Sequence, residues 1–152
     1  MRLAPLARGL VNHLDLTKLQ GLVRETAFYR RLTGDLRQGK KLSLDILEGA
    51  RPYFLSALNT DLERPILIVT PEPGTARAVY EQAVSWGVSD ACLYPEPDSL
   101  PYQRLATDIE SRVERLRTLA RLTQAKDPGT AFVVASVPAL LQRVMPKADF
   151  AS

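Results

Sequence analysis

Two short, uninterrupted apolar runs constrain this chain most: Pro65-Ile66-Leu67-Ile68-Val69-Thr70 and Ala131-Phe132-Val133-Val134-Ala135. Runs of this length without polar alternation, rich in Val and Ile, suit strands covered on both faces, which is the situation in a parallel sheet. Parallel neighbours cannot be joined by a hairpin, so helices must lie between them. The intervening sequence supplies one: Ala76, Val79, Tyr80, Ala83 and Val84 form one apolar helical stripe, ending at Gly87, a residue suited to a helix C-cap.

The same alternation extends in both directions. Leu16, Leu19, Leu22, Val23 and Ala27 predict an N-terminal helix over residues 16–32, punctuated by Thr33-Gly34 and Gly39-Lys40-Lys41. Leu42-Ser43-Leu44-Asp45-Ile46-Leu47 reads as a short strand, followed by a turn at Gly49 and a helix over 53–62 with Pro52 in its first turn. Ala91-Cys92-Leu93-Tyr94 reads as a strand between the two apolar runs. After a proline-rich stretch, Asp108 is placed to cap a helix through Gln124, with Ile109, Val113, Leu116, Leu119 and Ala120 as its apolar face. The Asp127-Pro128-Gly129 turn closes it, and Pro138 opens a short helix near 139–144. Strands alternating with helices predict an α/β fold with a parallel sheet covered on both sides.

Length and composition fit that fold. The 152 residues, 45% hydrophobic and 24% charged, suffice for the core of one domain. Cys92 is the one cysteine, so no intramolecular disulfide forms, and no apolar run reaches bilayer-spanning length. Arg2, Pro5, Arg8 and Gly9 interrupt the opening stretch and argue against a signal peptide. These features predict a cytoplasmic chain. Its +3 charge is uneven: residues 1–40 hold eight Lys or Arg against three Asp or Glu, and the remainder holds twelve against fourteen. A basic helix face in solvent accounts for this, and at most weak, salt-sensitive, non-specific DNA binding is expected.

The chemistry-bearing positions are notable for what they lack. A phosphate loop needs glycines for backbone wrapping, a lysine for the β and γ phosphates, and a Ser or Thr for Mg²⁺. Laid on that pattern, Ile46 and Arg51 stand at the glycine positions, Pro52 at the lysine and Tyr53 at the hydroxyl; Gly49 falls inside, and Glu48 adds a carboxylate. Ordinary ATP binding is disfavoured there, and no cofactor is expected in this segment. His13, as the one histidine, and Cys92 cannot form a Cys/His metal cluster. His13 suits a surface position and Cys92 a small buried apolar one. Glu110 and Glu114 lie one turn apart, but Arg117 and Arg121 share their flank, which predicts a salt-bridged solvent face rather than a cation site. No catalytic or metal-binding residue is assigned.

Three stretches carry a family resemblance: the segment from Tyr94 through Leu100, Pro101 and Tyr102; the helix segment Arg115-Leu116-Arg117-Thr118-Leu119; and the run from Val133 through Gln142, Arg143, Val144 and Pro146. In order and spacing they resemble the N-terminal, UvrB-homology module of the transcription-repair coupling factor family, Mfd. More distantly the chain is similar to the first domain of the excision-repair helicase subunit UvrB, whose P-loop is intact. The resemblance implies a helical extension over 1–40 and the first part of a degenerate, RecA-like helicase domain over 41–152. It also implies a non-catalytic scaffold within a protein that removes stalled RNA polymerase from damaged double-stranded DNA and recruits UvrA. ATP and Mg²⁺ would serve the motor of the full-length protein. The segment itself would pack against later domains, and it would expose apolar area and an unpaired strand edge without them.

Two departures stand out: 103–108 is shorter than the family's loop, and Glu110 and Glu114 replace a Ser-rich helix start. The family's UvrA-recruiting domain follows the Arg-Val-x-Pro ending, and nothing here matches it. An alternative from the residues alone is a Rossmann-like enzyme domain holding a nucleotide or sugar phosphate at Pro73-Gly74-Thr75. A stand-alone adaptor that kept the fold is a third reading.

Overall fold

The computed structural model describes residues 19–96, 109–124 and 131–144. Within them the chain forms α1 (Gln20–Arg24), α2 (Ala27–Arg37), a 3₁₀ turn (Glu48–Ala50), α3 (Arg51–Leu62), β1 (Ile66–Thr70), α4 (Pro73–Ser85), β2 (Ala91–Tyr94), α5 (Ile109–Gln124), β3 (Phe132–Ser136) and α6 (Val137–Leu141). The strands make one parallel sheet in the order β1-β3-β2. Ile66 pairs with Phe132 on one side of β3, and Ala91 pairs with Phe132 on the other. The expected parallel α/β architecture is therefore present, with β3 as the central strand.

Register decides what each face buries, because side chains alternate across a strand. Phe132 and Val134 share one face with Ala91, Leu93, Ile66 and Ile68, and this face packs on Ala76, Val79, Tyr80 and Ala83 of α4. Val133 and Ala135 share the other face with Cys92 and Tyr94, and meet Leu119 of α5 and Ala139 of α6. A third cluster joins Tyr29 and Leu32 of α2 to Phe54, Ala57 and Leu58 of α3, with Tyr29 edge-on to Phe54 at 5.5 Å between ring centres.

Five expectations need correction. The helix expected over 16–32 is broken after Arg24: Thr26 is extended (φ −73°, ψ 138°), accepts the Tyr29 amide on its side chain, and starts α2 afresh. That second helix then passes through Thr33-Gly34 and ends at Arg37, with Gly39 left-handed beyond it (φ 75°). The strand expected over 42–47 is absent, since no neighbouring strand among the described residues supplies a ladder to it. The β1 run is not buried on both faces: as an edge strand it leaves Leu67 57% and Val69 48% exposed, because among the described residues no helix covers that side of it. Helix α5 is rotated from its expected apolar face: Thr118 is its buried residue, while Ile109 and Leu116 point to solvent. Finally, the helix after Pro138 runs earlier than expected, capped by the Ser136 side chain and ending before Gln142.

Other boundaries agree with the local chemistry. Gly87 is left-handed (φ 89°) just past α4, and Pro52 sits in the first turn of α3. The Asp108 cap, the Asp127-Pro128-Gly129 turn and His13 lie outside the described residues.

Candidate functional site

Two places in the fold could carry chemistry: the start of α3, where a phosphate loop would sit, and the carboxyl edge of the sheet, where parallel α/β folds bind ligands. At the first, Ile46 packs against the α2–α3 cluster, Gly49 and Arg51 are exposed, and Pro52 is buried. Tyr53 is tied to α1: its hydroxyl donates to the Leu19 carbonyl at 2.7 Å and accepts the Val23 amide at 3.0 Å. Its ring lies 5.0 Å from that of Trp86. Gln20 of α1, itself buried, donates to the Ser56 hydroxyl and to the Trp86 carbonyl, both at 3.1 Å. The first turn of α3 is thus a docking point for α1. Gly49 also lacks the geometry for which a phosphate loop uses glycine: its φ is not positive, and a β-carbon there would meet nothing within 4 Å.

Beside it, Asp61 closes the helical cluster. Its carboxylate accepts from Arg24 Nε at 3.0 Å and from the Tyr29 hydroxyl at 2.8 Å, and its carbonyl accepts from Arg37 at 2.7 Å. Burial first, and then the hydrogen bond to Asp61, push the Tyr29 phenol well above its ordinary value.

At the carboxyl edge of the sheet the polar side chains serve the protein itself. The Thr70 hydroxyl donates to the Glu72 carbonyl at 3.0 Å, and the Ser136 hydroxyl accepts the Ala139 amide at 3.2 Å. Arg115 reaches across from α5, donating to the Pro95 carbonyl and the Tyr94 hydroxyl, each at 2.6 Å, and more weakly to the Ala139 carbonyl at 3.4 Å. Its guanidinium carbon stands 4.1 Å from the centre of the Tyr94 ring. One turn along, the buried Thr118 hydroxyl donates to the Leu93 carbonyl at 3.1 Å. Arg115 and Thr118 therefore lock α5 to β2, and Arg115 extends the lock to α6.

The remaining motif positions are scattered. Leu116, Gln142, Arg143 and Val144 are exposed and form no cluster with Arg115; Leu100, Pro101, Tyr102 and Pro146 lie outside the described residues. The apolar pattern of α5 does not reveal the role of Thr118, because the bond it makes is polar. A lone Thr between Arg115 and Leu119 was the available sign.

Two further expectations change. Arg121 does not join a ladder with Glu110 and Glu114; it pairs with Asp90 at 3.2 Å and donates to the Cys92 sulfur at 3.2 Å. Cys92 is accordingly half-buried on the wall of a cleft of about 720 Å³ that Leu93, Leu122 and Val133 also line. At the Pro73-Gly74-Thr75 loop, α4 begins at Pro73 itself, with the exposed Glu72 at its cap position. A missing amide and a nearby carboxylate make that helix start a poor seat for phosphate. Among the described residues no group of three or more His, Cys, Asp and Glu is placed to hold a metal ion, and no helix is long and apolar enough to cross a membrane.

Comparison with known proteins returns transcription-repair-coupling factors. The chain is 27% identical over 138 residues to that of Bacillus subtilis, covering 88% of this chain and 11% of that protein. It is 25% identical over 122 residues to that of Haemophilus influenzae, covering 80% of this chain and 10% of that protein. The chain thus spans about a tenth of the length of the curated relatives it matches. No family model and no solved structure matches.

Proposed function

We propose, from this similarity to transcription-repair-coupling factors, that the chain is a non-catalytic scaffold segment of such a factor, holding a helicase-like fold without its nucleotide site. The full-length protein would act on RNA polymerase stalled at DNA lesions and recruit UvrA, with ATP and Mg²⁺ bound by a motor elsewhere. This segment would contribute a rigid α/β platform in the cytoplasm against which other domains pack.

One observation carries the reading: the side chains at the loop and strand ends bond to their own fold. Tyr53 stands where a Mg²⁺-binding hydroxyl would, yet its phenol is held by α1. Pro52 stands at the lysine position and is buried. Arg115, which reaches the end of β2, is held by Tyr94, Pro95 and Ala139. A phosphate approaching α3 would meet a missing amide and no lysine.

Calorimetric titration with Mg·ATP tests this. No saturable heat is expected at millimolar nucleotide, for the chain or for Gly49→Ala. A micromolar dissociation constant that vanishes when Gly49 or Arg51 is replaced would mean that the loop still binds nucleotide, and the scaffold reading would fall.

A further inference from the structure

The stretch that reads as a strand but has no partner strand among the described residues provides an interaction surface of its own. From Lys40 to Leu47 the chain runs without helix, turn or bend. Lys41, Leu42, Ser43, Leu44 and Asp45 are all exposed, with the two leucines at 41% and 40%. Among the described residues no backbone hydrogen bond joins 41–46 to the rest of the fold. Unbent chain whose amides and carbonyls pair with no other described backbone is a template for another strand.

The order of residues selects which strand. Paired antiparallel with a second copy and centred on Ser43, the segment sets Lys41 opposite Asp45 and Leu42 opposite Leu44, and the two-fold axis repeats both pairs. Alternation then places the leucine pairs on one face of the ribbon and the charge pairs on the other. In-register parallel pairing would instead set Lys41 on Lys41 and Asp45 on Asp45. A one-residue slip of the antiparallel pair would set leucines against charged or hydroxyl side chains. Charge and apolar matching therefore agree on a single arrangement.

We propose that residues 41–45 form an antiparallel, two-fold β-strand contact with a second copy of this chain. The contact uses neither the start of α3 nor the sheet edge at β1, so it stands apart from the scaffold reading.

Sedimentation equilibrium of the 152-residue chain over a range of concentrations reads the dimer directly. Lys41→Asp and Asp45→Lys each turn two attractive pairs into two repulsive ones, and each is expected to weaken the dimer about tenfold. An equimolar mixture of those two variants restores opposite charges at every pair and should dimerise at least as tightly as the parent chain. Alternate residues of an antiparallel strand donate across the pair, so either Ser43→Pro or Leu44→Pro removes ladder bonds and should abolish the dimer. All four positions are exposed, so folding should survive each change. A chain that stays monomeric at every concentration would overturn the proposal. So would a dimer indifferent to all four variants, or a mixture no tighter than its separate components.

Discussion

Arg115 shows how much structural work one side chain can do here. Its planar guanidinium serves the Tyr94 hydroxyl, the Pro95 carbonyl and the Tyr94 ring together, a geometry that a lysine ammonium cannot reproduce. Arg115→Ala is expected to cost about 2–3 kcal/mol, from lost charge-assisted bonds and the ring contact. Arg115→Lys should recover less than half of it. Urea unfolding followed by circular dichroism measures both, and near-neutral values would show that α5 is held by Thr118 and packing alone.

Tyr29 provides a pH signature at the same scale. Burial and the bond to Asp61 raise its folded-state pKa above the unfolded value. The unfolded chain then releases this proton first as pH rises, at roughly pH 10. The stability linked to this phenol is intact below that pH and is lost progressively above it. Tyr29→Phe has no proton to release, so the difference in unfolding free energy between parent and variant should be flat near neutrality and shrink above roughly pH 10. A difference that stays constant into strong alkali would show that the phenol is not held in this way.

Among the elements, β1 illustrates what the edge of a sheet does to an apolar run. Ile66 packs against both the sheet core and the α2–α3 cluster, whereas Leu67, the next residue, points to the face that no described helix covers. Ile66→Ala is therefore expected to cost about 2 kcal/mol or more. Leu67→Thr should stay within about 0.5 kcal/mol, since it removes little buried area and Thr suits a strand. Urea midpoints of the two variants check the asymmetry; equal losses would mean that Leu67 is covered in solution. In α5 the apolar periodicity was legible, but its phase was not. The helix turns so that Arg115 and Thr118 reach β2 and its end, and three hydrogen bonds, to the Leu93 and Pro95 carbonyls and the Tyr94 phenol, decide the buried face.

Across the whole molecule, the local signals were readable from residue order. The β2 limits, the left-handed Gly87 behind α4, Pro52 in the first turn of α3 and the missing phosphate-loop residues all rest on the chemistry of a few neighbouring residues. So did the alternation of strands and helices that implies a parallel sheet. The rest depended on partners distant in sequence. Thr26 starts a new helix although the leucine pattern runs through it, and Tyr53 is turned toward α1 by the Leu19 carbonyl and the Val23 amide. Leu42 to Leu47 has the alternation of a strand, yet a strand exists only where another supplies its hydrogen bonds. Likewise, the β1 run is apolar enough for burial on both faces, but burial depends on which helices arrive to cover it. Sequence by itself determined the three apolar strands, the helices between them and the lack of phosphate-loop residues over 46–53, because short-range chemistry sets each. Only the tertiary structure decided which strand lies at the edge, which face of α5 is buried and which segment is left unpaired, because each requires a second element to be present or absent.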